Sequence, residues 1–153
     1  MNENSISRRF GKEINRLIDE GNIITIKKNN NYVIIKKKYS DNHVINFILS
    51  NDYPFKSPEV YINKILYCDY LLNKNINIKK LILELNLSCP CCYNIVNEWS
   101  PGYYLLDILH EYEENMILFN YLLKLSYVKK YFNKNFLNTD YIFIIKEIYN
   151  YLQ

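Results

Sequence analysis

The sequence predicts an α+β fold: an N-terminal helix, a four-stranded antiparallel meander, and helices in the C-terminal part of the chain. Apolar residues recur at helical spacing near the N-terminus. Short strand-forming segments separated by turn residues follow, and helical spacing returns after Pro101. With 153 residues, 49% of them hydrophobic, the chain is long enough to bury a core. We therefore expect a single domain over residues 1–153.

The first helix and the sheet are predicted from periodicity and turn chemistry. Ser5 or Ser7 suits the start of the helix, and Gly21 suits the position just past its end. Its apolar stripe consists of Phe10, Ile14, Leu17 and Ile18. Asn-rich and Ser-Asp-Asn segments separate the strands, so consecutive strands pair antiparallel. The predicted strands are Ile23 to Lys28, Tyr32 to Lys38, His43 to Leu49 and Val60 to Ile62.

The pattern weakens from residue 63 to residue 90, where we expect a variable insertion at about 68–88. A short helix is predicted within it at about Ile78 to Leu85, from apolar residues at helical spacing. The remaining chain carries three helical stripes: Leu105, Ile108, Leu109 and Tyr112; then Leu118, Leu122 and Leu125; then Tyr141, Ile144, Ile145, Ile148 and Leu152.

Composition and charge exclude several classes of protein. The formal net charge is only +3, and the lysine clusters are interpreted as solvated faces, so we expect no nucleic-acid partner. No apolar run is long enough for a membrane span, and the first residues lack the basic and apolar blocks of a signal peptide. We expect a soluble, cytoplasmic monomer. Abundant Asn, Ile, Lys and Tyr without any alanine indicate an AT-rich genome, such as that of a parasite or a large DNA virus, and hence host cytoplasm if viral.

All four cysteines lie between Cys68 and Cys92. In a reducing compartment, structural disulfides are rare, so catalysis and metal binding are the two roles to weigh. Cys89 and Cys92 have the C-x-x-C spacing of a zinc knuckle, and Cys68 offers a third ligand. Because no second C-x-x-C and no nearby histidine completes a tetrahedral set, we expect no metal.

Two motifs resemble those of the ubiquitin-conjugating enzymes. Residues 53–60, Tyr-Pro-Phe-Lys-Ser-Pro-Glu-Val, are similar to the family's Tyr-Pro-Phe-Lys-Pro-Pro-x-Val block, with Ser57 in place of one proline. Residues 99–101, Trp-Ser-Pro, match the family's turn after its catalytic cysteine, with Gly102 where alanine is usual. The order of elements agrees as well, so the resemblance spans nearly the whole chain and implies a ubiquitin-conjugating-enzyme-like fold.

The resemblance implies that a cysteine accepts ubiquitin, or a related modifier, as a thioester and passes it to a lysine or to a ligase. Cys92 is the preferred nucleophile, because Ile95 and Val96 then match the apolar pair of the family's Cys-Leu-Asp-Ile-Leu segment. Cys91 is the alternative: it keeps the family's most common distance to Trp99 but puts Asn94 where an apolar residue belongs. A thiolate is the reactive form in either case.

The family's His-Pro-Asn tripeptide is missing. Its place, counted from the Tyr-Pro-Phe block, is filled by Cys68-Asp69-Tyr70. Asn86 and Asn94, and also Asn97, are candidate substitutes for the family's asparagine, which supports the loop and the oxyanion. Loss of one oxyanion donor costs on the order of a hundredfold in rate, so lysine attack is the step we expect to suffer.

The resemblance also implies partners: an activating enzyme, ubiquitin or a related modifier, and a ubiquitin ligase. The surface that would bind the two enzymes comprises Arg8, Arg9, Pro54, Phe55, Ser100 and Pro101. No cofactor is expected, because ATP is used by the upstream activating enzyme. Two alternatives stay open: a non-catalytic variant of the fold that binds ubiquitin or a partner, and a zinc-stabilised interaction domain.

Overall fold

A computed structural model describes residues 3–29, 31–73, 76–135, 143–144, 147 and 149–150. The described chain is α+β, as predicted, and divides into two compact units. The first unit contains residues 1–72 and 91–111, and the second contains residues 73–90 and 112–153. The single-domain assignment stays a prediction. The elements in chain order are α1 (Glu3–Asp19), β1 (Ile24–Lys28), β2 (Tyr32–Ser40), β3 (His43–Ser50), β4 (Glu59–Ile62), β5 (Ile65–Leu66), α2 (Tyr67–Leu72), α3 (Ile76–Glu84) and α4 (Leu105–Asn135).

Helix α1 ends where the sequence predicts. Gly21 has φ +75°, its N–H donates to the Ile18 carbonyl, and the Asn22 N–H donates to the Leu17 carbonyl. This pair of hydrogen bonds is a Schellman motif, in which glycine takes the left-handed position at little cost. The expected start was wrong, because α1 begins at Glu3 and both candidate caps, Ser5 and Ser7, lie inside the helix.

The sheet is an antiparallel meander in the order β1-β2-β3-β4-β5, so the prediction of four strands was one short. The additional strand, β5, pairs with β4 through Leu66 and Ile65. Asn63 and Lys64 connect the two strands with φ of 50° and 71°, the left-handed turn that asparagine tolerates. A two-residue strand is too short to produce an alternating pattern, which is why periodicity missed it.

One face of the sheet forms the core of the first unit. Ile35, Phe47 and Val60 lie opposite one another on β2, β3 and β4, and each is at most 1% exposed. Ile45 and Ile62 form a second buried cross-strand pair. Burying an aliphatic or aromatic side chain of this size contributes about 2 kcal/mol, so this face fixes the register of the meander.

Two short helices follow the sheet, and only the second was predicted. Helix α2 buries Tyr67 and Leu71, which lie four residues apart on one face. Helix α3 belongs to the second unit and confirms the helix expected in the insertion; it buries Ile78, Leu81 and Ile82. The chain after Pro101 forms α4, so the two predicted stripes up to Leu125 belong to one helix.

The third predicted stripe falls mostly outside the described residues: of its members, only Ile144 is described, in helical conformation. Within the described part of the chain, none of the helices combines the length and the apolar character needed to cross a bilayer.

Candidate active site

The candidate nucleophiles lie on a segment without regular secondary structure in the first unit, residues 91–97, which we call the thiol loop. The Cys92 side chain is exposed and that of Cys91 is half-buried, and their Sγ atoms are 3.7 Å apart. Neither residue is in a disulfide bond. An exposed thiol that is not bonded in a disulfide can reach the thioester of a partner protein.

Two asparagine side chains hold the backbone of the thiol loop. The buried Asn94 carboxamide donates from Nδ2 to the Cys91 carbonyl (3.2 Å) and accepts the Asn97 N–H at Oδ1 (3.0 Å). Asn97 Nδ2 donates to the carbonyl oxygens of Cys91 (3.2 Å) and Cys92 (3.4 Å). The backbone carbonyl groups of both candidate nucleophiles therefore accept hydrogen bonds from side chains of the same loop.

Burial within the loop bears on the choice of cysteine. Asn94 is only 3% exposed, whereas Ile95 and Val96 are half-buried. The preference for Cys92 assumed that Ile95 and Val96, the third and fourth residues after it, are the buried pair of the loop. The most buried residue is instead Asn94, the third residue after Cys91. The burial pattern thus fits Cys91 as well as Cys92, while accessibility favours Cys92.

Two loops that carry predicted partner-binding residues are joined directly. Trp99 Nε1 donates to the Pro54 carbonyl (2.7 Å), and the Trp99 and Tyr53 rings lie 5.7 Å apart. Phe55, next to Pro54, is 68% exposed, and Ser100 and Pro101 are exposed beside Trp99. We call residues 53–55 and 99–101 the loop pair. The structure brings four of the six predicted binding residues together there.

Glu13 of α1 connects this loop pair to the start of α4. Its carboxylate is fully buried and accepts hydrogen bonds from Tyr53 Oη (2.5 Å), Arg9 Nε (2.7 Å) and the Leu105 N–H (2.9 Å). Burial, together with the hydrogen bond to the Glu13 carboxylate, raises the pKa of Tyr53 well above its ordinary value. Glu13 is not among the residues predicted from the sequence, although a carboxylate four residues before Leu17, within the apolar stripe of α1, is a signal that points to it.

The two arginines predicted to bind partners differ in their surroundings. Arg8 is exposed. Arg9 is directed inward: its guanidinium donates to Glu13 and to the Tyr103 carbonyl and lies 3.7 Å from the centre of the Tyr104 ring. Because its side chain is only 15% exposed and pairs with Glu13, Arg9 has a structural role, and its partner-binding role stays a prediction.

A second carboxylate, Glu111, holds the thiol loop from α4. Its Oε1 accepts a hydrogen bond from Tyr67 Oη (2.9 Å), and its Oε2 accepts the Ile95 N–H (2.6 Å). Glu111 therefore links α2, the thiol loop and the first turns of α4. This role of Glu111 could not be predicted from the sequence, because residues 67, 95 and 111 are brought together only by the fold.

Cys68 of α2 lies beside the same asparagines. Its Sγ is 3.1 Å from Asn97 Oδ1 and 3.8 Å from Asn94 Nδ2. Cys68 therefore contacts the two side chains that hold the thiol loop.

Asn86, the other predicted candidate for oxyanion support, lies just past the C-terminus of α3 in the second unit. It has φ +56°, its N–H donates to the Leu83 carbonyl, and the Leu87 N–H donates to the Ile82 carbonyl. This is a second Schellman motif with asparagine in the left-handed position, which by itself accounts for an asparagine there. Of Asn86 and Asn94, Asn94 is the one found in the thiol loop.

The thiol loop offers two sulfur ligands to a metal ion. A separation of 3.7 Å between the Sγ atoms of Cys91 and Cys92 suits two thiolates on one tetrahedral zinc ion. The expectation of no metal stays a prediction.

Comparison with protein-family models, with curated proteins and with solved structures finds no match. The resemblance to ubiquitin-conjugating enzymes therefore rests on the motifs in the sequence.

Proposed function

We propose that the protein is a divergent ubiquitin-conjugating enzyme that carries ubiquitin, or a related modifier, as a thioester on Cys92, with Cys91 as the alternative nucleophile. The observation that carries the proposal is that two features occur together in the first unit. One is the exposed thiol of Cys92, on a loop held by hydrogen bonds from Asn94 and Asn97. The other is an exposed aromatic residue, Phe55, on the loop pair. A thiol acyl carrier needs these two features: an accessible nucleophile and a rigid surface for its partners.

The proposed chemistry is acyl transfer between thiols. The thiolate of Cys92 attacks the carbonyl carbon of the thioester that joins ubiquitin to the activating enzyme, and a tetrahedral intermediate forms. The carbon–sulfur bond to the activating enzyme then breaks, and its thiolate leaves with the electron pair. A new thioester on Cys92 results, and a lysine amine or a ligase cysteine attacks it in the next step.

The role of the asparagines in this chemistry is to hold the nucleophile. Both candidate cysteines belong to backbone whose carbonyl groups accept hydrogen bonds from Asn94 or Asn97. A loop fixed before the reaction avoids part of the entropy cost of placing the sulfur against the incoming carbonyl carbon. Because both Nδ2 groups already donate to the loop, we expect attack by a lysine to lack a dedicated oxyanion donor and to be slower than transfer to a ligase cysteine.

The proposed partners are the activating enzyme, the modifier and a ligase, and the proposed location is the cytoplasm. Phe55 would anchor the ligase, because an exposed aromatic ring on a loop held by the Trp99–Pro54 hydrogen bond buries apolar area at little entropic cost. Arg8 supplies an exposed positive charge on α1 for the activating enzyme.

The test is a charging assay with activating enzyme, ATP and ubiquitin, resolved on gels with and without thiol reductant. The wild-type protein is compared with Cys91→Ser and Cys92→Ser. We expect a reductant-sensitive adduct that is lost in Cys92→Ser, or replaced there by a reductant-stable ester. Loss in Cys91→Ser alone would move the nucleophile to Cys91.

The assay also addresses the non-catalytic alternative. If no adduct forms with several activating enzymes and modifiers, the acyl-carrier proposal fails. Binding of free ubiquitin to the uncharged protein, measured by titration, would then support a binding module of the same fold.

A further inference from the structure

We propose that Cys68 is a positioning residue whose thiol orients the Asn97 and Asn94 carboxamides, so that both donate to the backbone of the candidate nucleophiles. The inference rests on the proposed function for its consequence, but its structural basis is the hydrogen-bond network itself. Cys68 occupies the place of the missing His-Pro-Asn tripeptide and is the residue of α2 that meets the thiol loop through Asn97.

The orientation of the Asn97 carboxamide follows from the partners on its two sides. Two backbone carbonyl oxygens, those of Cys91 and Cys92, lie on one side, and they accept only from the NH₂ group. Oδ1 therefore faces the other side, where it is 3.1 Å from Cys68 Sγ. Because Oδ1 is an acceptor only, Cys68 must donate its S–H.

The same reasoning determines the orientation of the Asn94 carboxamide. The Asn97 backbone N–H donates to one end of the Asn94 carboxamide, so that end is Oδ1, and Nδ2 lies toward the Cys91 carbonyl. Nδ2 is also 3.8 Å from Cys68 Sγ, within reach of sulfur as a weak acceptor. Cys68 thus accepts from one asparagine and donates to the other.

A thiol suits this place because it supplies one donor and one acceptor at the longer distances typical of sulfur. Alanine at position 68 would remove both hydrogen bonds, whereas serine keeps a donor and an acceptor on a shorter bond. The series Cys68→Ala and Cys68→Ser therefore separates the loss of hydrogen bonding from the loss of the sulfur atom.

The first measurement is amide hydrogen exchange by NMR on the whole chain, which requires no activity. The Asn97 N–H donates to Asn94 Oδ1 (3.0 Å) and also to the Asn94 backbone carbonyl (3.1 Å), so the part of its protection that depends on Oδ1 reports on the network. We expect exchange of this amide to be about fivefold faster in Cys68→Ala, the factor that corresponds to one net hydrogen bond, and close to wild type in Cys68→Ser. The Ile95 N–H, which donates to Glu111, is the internal control and should change little.

The second measurement links the network to transfer. In single-turnover discharge of the thioester to a thiol acceptor, we expect Cys68→Ala to be about fivefold slower and Cys68→Ser to recover most of the rate. In an Asn97→Ala background, Cys68→Ala should have a smaller effect than in the wild-type protein, because the hydrogen bond from Cys68 to Asn97 is already absent and only the contact with Asn94 remains to be lost.

Three results would overturn the proposal: unchanged exchange at Asn97 in Cys68→Ala, equal defects in Cys68→Ala and Cys68→Ser, or full additivity with Asn97→Ala. If no thioester forms on the wild-type protein, the proposed function fails, while the exchange experiment still decides whether Cys68 orients the asparagines.

Discussion

Replacing Glu13 by glutamine should destabilise the first unit strongly. The carboxylate is fully buried and serves three donors: Arg9 Nε, Tyr53 Oη and the Leu105 N–H. Glutamine has the same shape, but its NH₂ group would face at least one of these donors and leave it without an acceptor. An unsatisfied buried donor costs about 1–3 kcal/mol, and the Arg9 guanidinium, only 15% exposed, would also lose its counter-charge. We expect Glu13→Gln to lower the free energy of unfolding by about 3 kcal/mol.

Urea denaturation followed by tryptophan fluorescence measures this change. Trp99 is the single tryptophan of the chain and lies in the first unit, 5.7 Å from the Tyr53 ring, so its emission reports on that unit. Glu20→Gln is the matched control, because Glu20 is exposed just after α1 and its replacement should stay within about 0.5 kcal/mol. A loss below about 1 kcal/mol in Glu13→Gln would refute the argument that the buried carboxylate holds three elements together.

Three further predictions address pH, partner binding and metal content. The folded-state pKa of Tyr53 is raised, so its stabilising contribution is complete below the ordinary tyrosine value of about 10 and declines above it. The difference in unfolding free energy between wild type and Tyr53→Phe should therefore shrink as pH rises above 10, and a constant difference in urea titrations would contradict this. Phe55→Ala should leave thioester charging intact but slow ligase-dependent discharge about tenfold. Lys56→Ala, at the next position on the same turn, is the control, and a charging defect in Phe55→Ala would mean that Phe55 serves another step. Protein purified without added zinc should retain less than about 0.1 equivalent after dialysis, and one tightly held equivalent by elemental analysis would refute the thiol-nucleophile proposal.

The parts of the fold that the sequence predicted are those set by periodic burial and by local turn chemistry. Leu17 and Gly21 defined the face and the end of α1, and Phe47, in an alternating strand, defined the core side of the sheet. Helix α2 was missed because its six residues make fewer than two turns, too few for a recurring pattern, although Tyr67 and Leu71 have helical spacing.

The candidate site was predictable only in part. The cysteines and the loop-pair motifs could be located because each is a short run of distinctive residues. Glu13, Glu111 and Cys68 act on partners brought close by tertiary structure, and no local pattern distinguishes such a residue from others of its type. For the asparagines, the sequence offers too many candidates. Asn is so abundant in this chain that no local pattern distinguishes Asn94 from Asn86, and only the structure shows which of them lies in the thiol loop.

The hydrogen bond from the Leu105 N–H to Glu13 spans 92 positions of the chain. During synthesis on the ribosome, α1 and the whole meander emerge well before Leu105, and the Glu13 carboxylate has no α4 amide to accept until then. The chain also leaves the first unit after residue 72 and returns to it at residue 91. We therefore expect a nascent chain that stops short of Leu105 to hold its sheet loosely, and full protection against proteases to arise only after α4 has begun to form.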